Sequence, residues 1–134
     1  SKDLQYLKSS TEIWLTQSSI VSNVKSLLKN KFTVFIATDH GNVQARGWRS
    51  LTGREKLGSH KSGSKSQRHI EYSNKSFYED FIKNNEELEG SIVQEEQAIY
   101  FKDDLCFSRD ESSVTHGGAH LLEMLIPFVK ITNE

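Results

Sequence analysis

Two short stretches carry side chains able to do chemistry. In the first, Asp39 and His40 stand side by side and Gly41 follows. A carboxylate oxygen beside an imidazole nitrogen is a ligand pairing suited to zinc or manganese. Gly41 lets the backbone turn sharply and approach a ligand closely. The competing reading of these three residues is a polar turn in which His40 hydrogen-bonds to backbone. In the second stretch, Thr115-His116-Gly117-Gly118, a histidine is again followed by glycine, and an apolar segment, Leu121 to Val129, comes next. The recurrence of that grammar favours ligand chemistry over a turn.

The elements that must position these residues follow from pattern. Phe32-Thr33-Val34-Phe35-Ile36-Ala37 is apolar, rich in β-formers and free of alternation, which predicts a strand buried on both faces. Asp39 and His40 then fall past its carboxyl end, the edge at which open α/β sheets bind ligands. Residues 9–30 read as one helix. Ser9 and Glu12 have capping-box spacing, and Ile13, Trp14, Val21, Val24, Leu27 and Leu28 fall near one face. Lys25, Lys29 and Lys31 gather where they complement the helix dipole. Trp14 is expected to pack between helix and sheet, with ligand stacking as the alternative. Helix, buried strand and ligand loop make half of a βαβ unit. Asp3 to Leu7 is too short and polar to serve as the strand before it.

Charge is segregated along the chain. Eight basic residues between Arg46 and Lys75 face two acids, Glu55 and Glu71. The same segment is rich in Ser and Gly, and residues 50–67 read as a flexible basic loop. It is either an electropositive lid that attracts a phosphorylated or nucleic-acid substrate, or a solvated linker. Arg68 to Tyr72 alternates and is expected to rejoin the sheet as an edge strand. From Phe77 to Glu111 eleven acids face three bases. Phe77, Tyr78, Phe81 and Ile82 predict a short helix with an aromatic face, and Asn84 to Gly90 a polar turn. Asp103-Asp104 reads as the tight turn of a hairpin joining Ala98–Phe101 to Leu105–Phe107. Cys106 reads as a buried small residue rather than a nucleophile. After the second histidine, Ala119 to Leu125 predicts one or two helical turns stopped by Pro127, and Phe128 to Ile131 a final strand. His120 reads as an exposed helix residue, with metal proximity as the alternative.

Composition bounds the class. The 134 residues suffice for one domain with a modest core, and the content is 35% hydrophobic and 26% charged. A net charge of −1 predicts no bulk affinity for nucleic acid or membrane. One cysteine permits no internal disulfide, which fits a reducing compartment. No apolar stretch approaches a membrane span and no signal-peptide pattern is present. The only Met is Met124, so the chain is expected to be part of a longer polypeptide.

Phe35-Ile36-Ala37-Thr38-Asp39-His40-Gly41-Asn42 resembles the Ser/Ala-Asp-His-Gly motif of the alkaline phosphatase superfamily. Thr115-His116-Gly117-Gly118 through Glu123-Met124-Leu125-Ile126-Pro127 resembles the His-Gly-Gly…Glu-Met-Ile-x-Pro ending of PglZ domains. Those domains occur in PorX-like response regulators and phage-defence PglZ proteins. Ala98 to Phe107 resembles the strand pair before that ending. The likeness covers about residues 10–132, and departs from the family at Ala119-His120.

The resemblance implies an α/β fold, the C-terminal part of an alkaline-phosphatase-like sheet with flanking helices, incomplete and spanning 1–134 as one domain. It implies a bacterial, cytoplasmic, metal-dependent phosphoesterase acting on a phosphate ester, with zinc first and manganese second as the metal. Carried over by motif, Asp39 and His40 bind one metal and His116 the other. Arg68 matches the arginine that often follows the loop; with Arg46 it is a candidate substrate contact. Glu123 matches a glutamate expected to hold loops together. The family takes its Ser or Thr nucleophile and further ligands from upstream sequence, so the isolated chain is expected to be inactive. The alternatives are a non-catalytic signalling or phage-defence module that binds nucleic acid through the basic loop, or protein, and an unrelated α/β domain with chance motifs. No membrane partner is implied.

Overall fold

A computed structural model describes residues 3–59 and 66–133. Asp3 caps the first helix by accepting the Tyr6 N–H, so α1 runs Leu4–Gln17. The helix expected over 9–30 therefore begins earlier, and it is divided. Ser18, with ψ 161°, ends α1, and α2 (Ile20–Lys29) follows. β1 (Val34–Ala37) pairs antiparallel with the last strand, β8 (Phe128–Ile131), and this pair forms a two-stranded sheet.

The burial expected for β1 is not found. Val34 is half-buried, and Phe35 is 55% exposed. The pairing register explains why. Ile36 and Ile131 face a groove shared with Leu15, Ile20, Val21 and Val24 of the helices. Phe35 points to the other face, where its ring meets that of Phe128 at 5.6 Å and, among the described residues, both stay more than half exposed. Trp14, expected between helix and sheet, is 56% exposed for the same reason: α1 buries no residue.

The core sits elsewhere. β2 (Val43–Gly47) is the centre of a three-stranded sheet. It pairs parallel with β6 (Leu105–Cys106) and antiparallel with β7 (Ser113–Thr115). A second three-stranded sheet has the order β3 (His69–Glu71), β5 (Ala98–Phe101), β4 (Ile92–Glu95). Ile70, Tyr72, Ile92, Ile99, Phe101 and Phe107 pack with Phe81 of α4 (Lys75–Asn84) and with Leu88. Trp48 meets Phe81, Phe101 and Phe107 edge-on at 6.0–6.5 Å. Cys106 is fully buried, as its place in an apolar strand predicts.

Two local expectations change. The hairpin is β4–β5, turning at Glu96 with φ 52°, rather than a turn at Asp103-Asp104. After Asp103-Asp104 the chain leaves one sheet and enters the other, because β6 finds its partner in β2. The basic loop over 50–67 holds a short helix, α3 (Gly53–Leu57), fixed by a reciprocal capping box between Thr52 and Glu55; residues 60–65 of that loop lie outside the described residues. β3 does return as an edge strand, and α4 presents the predicted aromatic face.

Candidate metal centre

The site is assembled by strand pairing. Asp39 and His40 follow β1 directly, and β2 begins three residues after His40. β2 lies antiparallel to β7 with Val43 opposite Thr115. That register brings the residues before Val43 alongside those after Thr115, and the rings of His40 and His116 stack with centroids 3.8 Å apart and planes inclined by 16°.

His40 Nδ1 lies 2.8 Å from the carbonyl oxygen of Gly41. A carbonyl only accepts, so Nδ1 carries the hydrogen and the neutral ring keeps its lone pair on Nε2. Nε2 is 3.7 Å from Asp39 Oδ1, and the Asp39 side chain is 90% exposed. The backbone bond is the one expected of a turn, yet it also fixes the tautomer that a metal ligand requires.

Further contacts hold the two loops. The Gly41 N–H donates to the carbonyl of Glu123, 3.0 Å. A Cβ at Gly41 would run into the Leu122 carbonyl, so only glycine allows this approach. Gly117 has φ 98°, and its carbonyl accepts from Nδ1 of His69 at 2.9 Å. His69 stacks on Tyr100, and Ser66 Oγ donates to the His116 carbonyl at 3.2 Å. His69 carries no sequence signal for this role; only the β3–β5 register, His69 opposite Tyr100, brings it there.

Both candidate arginines are paired with acids. Arg68 is fully buried, and its guanidinium donates to both oxygens of Glu123, to the Asp103 carbonyl at 2.6 Å, and to the Phe101 and Leu105 carbonyls. The Arg68 donors, read as a candidate substrate contact, face inward onto these protein acceptors. Glu123, expected to hold loops together, does so. Burial pushes its carboxyl up, but hydrogen bonds from Arg68 and from the Gly118 N–H, the Arg68 charge and the His120 N–H outweigh it and hold the group below the usual carboxylate range. Arg46 is exposed and makes a two-pronged pair with Asp104 at 2.8 and 3.1 Å. Arg49 pairs with Glu55 and Arg54 with Asp80, so each described arginine of the basic segment meets an acid. His120, read as an exposed helix residue, is half-buried and stands at the N-cap: its Nδ1 accepts the Leu122 N–H and caps α5 (Leu121–Met124).

A family model described as the BREX system PglZ alkaline phosphatase-like domain matches residues 4–131. The chain belongs to the PglZ family. No curated protein matches it. The PglZ match runs through both histidine stretches and through β1 and β8. Among the described residues of this PglZ chain, no group of three or more His, Cys, Asp or Glu side chains is gathered as a metal site, and no helix is long and apolar enough to cross a membrane.

Proposed function

We propose that this PglZ chain carries part of the two-metal site of a cytoplasmic phosphoesterase, a phosphatase or phosphodiesterase. One observation carries the reading: His40 and His116 stack while the Nε2 lone pair of His40 is left free beside Asp39. Ring lone pairs lie in the ring planes, so two near-parallel rings direct them along separate planes. Such a pair suits two centres better than one. Asp39 and His40 would hold the first and His116 the second, with zinc favoured by the nitrogen-rich donor set and manganese the alternative. Divalent ions bound there supply positive charge for a phosphate ester and lower the pKa of an oxygen nucleophile. The chain's own residues orient: the Nδ1–H bond of His40 fixes its tautomer, and the His69 bond to Gly117 steadies the peptide after His116.

These three side chains are too few for two ions. The remaining ligands and the nucleophile are assigned to further polypeptide of the same protein. The uncovered apolar surface of β1 and β8, with Phe128 69% exposed, supports such a covering layer.

Titration of the chain with zinc and manganese, beside His40→Ala and His116→Ala, tests the proposal. Stoichiometric binding that is lost in both variants supports it. If the full-length protein also binds no metal, or hydrolyses phosphate esters equally well with both histidines replaced, the phosphoesterase reading fails.

A further inference from the structure

Two loops that share no covalent bond hold the stacked histidines, and one residue is bonded to both loops without bonding to either ring. The main chain of Glu123 accepts the N–H of Gly41, one residue after His40, at 3.0 Å. Its carboxylate accepts the N–H of Gly118, two residues after His116, at 3.0 Å, and that of His120 at 3.1 Å. Arg68 fills the other acceptor directions, Nε to Oε1 at 3.1 Å and Nη2 to Oε2 at 2.8 Å. Each oxygen thus receives one arginine N–H and one backbone N–H, which exhausts the lone pairs of a carboxylate. The fit leaves no slack at Gly118, where a Cβ would stand 2.6 Å from the Phe101 carbonyl and 2.9 Å from both Arg68 Nη2 and Glu123 Oε2.

We propose that Glu123 is a positioning residue: it sets the separation and parallelism of the His40 and His116 rings, so that a buried carboxylate, held by Arg68, fixes the geometry of the candidate two-centre site. For metal the inference rests on the proposed function; for the rings it stands alone. A glutamine at this position cannot do the same work. Its amide nitrogen would turn two donor hydrogens toward the arginine and backbone N–H groups at one end.

The test uses the full chain, Glu123→Gln, and the double variant Arg68→Met with Glu123→Leu. The double variant removes both buried charges together, so neither is left unpaired. Proton–proton NOEs between the His40 and His116 rings, recorded without metal, report the stack. Cooperative unfolding followed by tryptophan fluorescence, from Trp14 and Trp48, reports the fold, and zinc titration reports the site. A positioning role predicts that folded variants lose the ring–ring NOEs and bind zinc about 10–100-fold more weakly, the usual effect of removing a group that orients ligands. A purely structural role predicts a lower unfolding midpoint with the NOEs intact. NOEs that persist in either folded variant overturn the proposal, as does unchanged zinc affinity where the wild type binds. A wild-type chain that binds no zinc, yet loses the NOEs in the variants, supports the positioning role, and the metal reading is then decided by zinc titration of the full-length protein.

Discussion

Arg68→Ala separates two accounts of one arginine. A substrate contact could be removed with little effect on folding. A buried strut could not. Arg68 and Glu123 have side-chain exposures of 0% and 2%. Removing the guanidinium leaves the Glu123 charge buried with only two backbone N–H groups, and breaking such a pair costs about 3–5 kcal/mol. The carbonyls of Phe101, Asp103 and Leu105 lose their donor as well, which places the cost toward the upper end. A chain of 134 residues has a total stability of roughly 7–20 kcal/mol, so a large share would go. In urea, with a slope near ~2 kcal/mol per molar, the midpoint falls by about 1.5–2.5 M. Arg46→Ala is the control. Its pair with Asp104 is solvent-exposed on both sides, and its midpoint should not move measurably. An Arg68→Ala midpoint that coincides with that of Arg46→Ala would refute the strut.

Acid should weaken the clamp between Arg49 and α3. Burial pushes the Glu55 carboxyl up, but the Arg49 hydrogen bond, the Thr52 backbone and hydroxyl and the Arg49 charge together lower it from 4.5 to about 2. A folded-state value below the unfolded one stabilises above pH 4.5 and is lost as pH falls toward 2; allowing for solvent at a half-buried arginine, the loss is about 1–2 kcal/mol. Glu55→Gln should flatten that part of the stability–pH curve, and an unchanged slope would count against the pair. Gly117→Ala forces a side chain onto φ 98° and should cost about 1–2 kcal/mol. Gly53→Ala, where an added Cβ meets nothing within 4 Å, should cost nothing measurable, and equal melting temperatures for the two would contradict the strained turn.

The sequence was most legible where local pattern decides structure. The α/β class, β8 at Phe128–Ile131, the aromatic face of α4, the edge strand after Arg68 and the breadth of the PglZ likeness could all be read from periodicity and motif. It was least legible where long-range pairing decides. Val43–Gly47 and Ser113–Thr115 are short and barely apolar, so neither announces a strand, yet their register is what joins His40 to His116. The apolar run Phe32–Ile36 looked like the core because its composition is that of a covered strand; Phe35 stays 55% exposed because, among the described residues, its ring contact is with Phe128, itself exposed. The segregated charges were legible only in part. Among the described residues, arginines at 46, 54 and 68 find acids at 104, 80 and 123, pairings that no local pattern announces.

That pairing also explains how a site with partly exposed ligands can be ordered at all. The folding energy of the chain lies with Ile70, Tyr72, Phe81, Ile99, Phe101 and Phe107, not with β1 or β8. Something must carry that rigidity to the loops at 39–41 and 116–118. Arg68 sits at the junction. On one side it is bonded to the carbonyls of Phe101 and Leu105, in the two sheets that hold the core; on the other it meets the carboxylate that collects Gly118 and His120. The Glu123 main chain then reaches Gly41. A lysine, a single point charge on a flexible stem, could not span these partners at once, whereas the planar fork of arginine does. The residue read as a substrate contact thus serves the site from behind, by linking it to the part of the chain that is firmly packed.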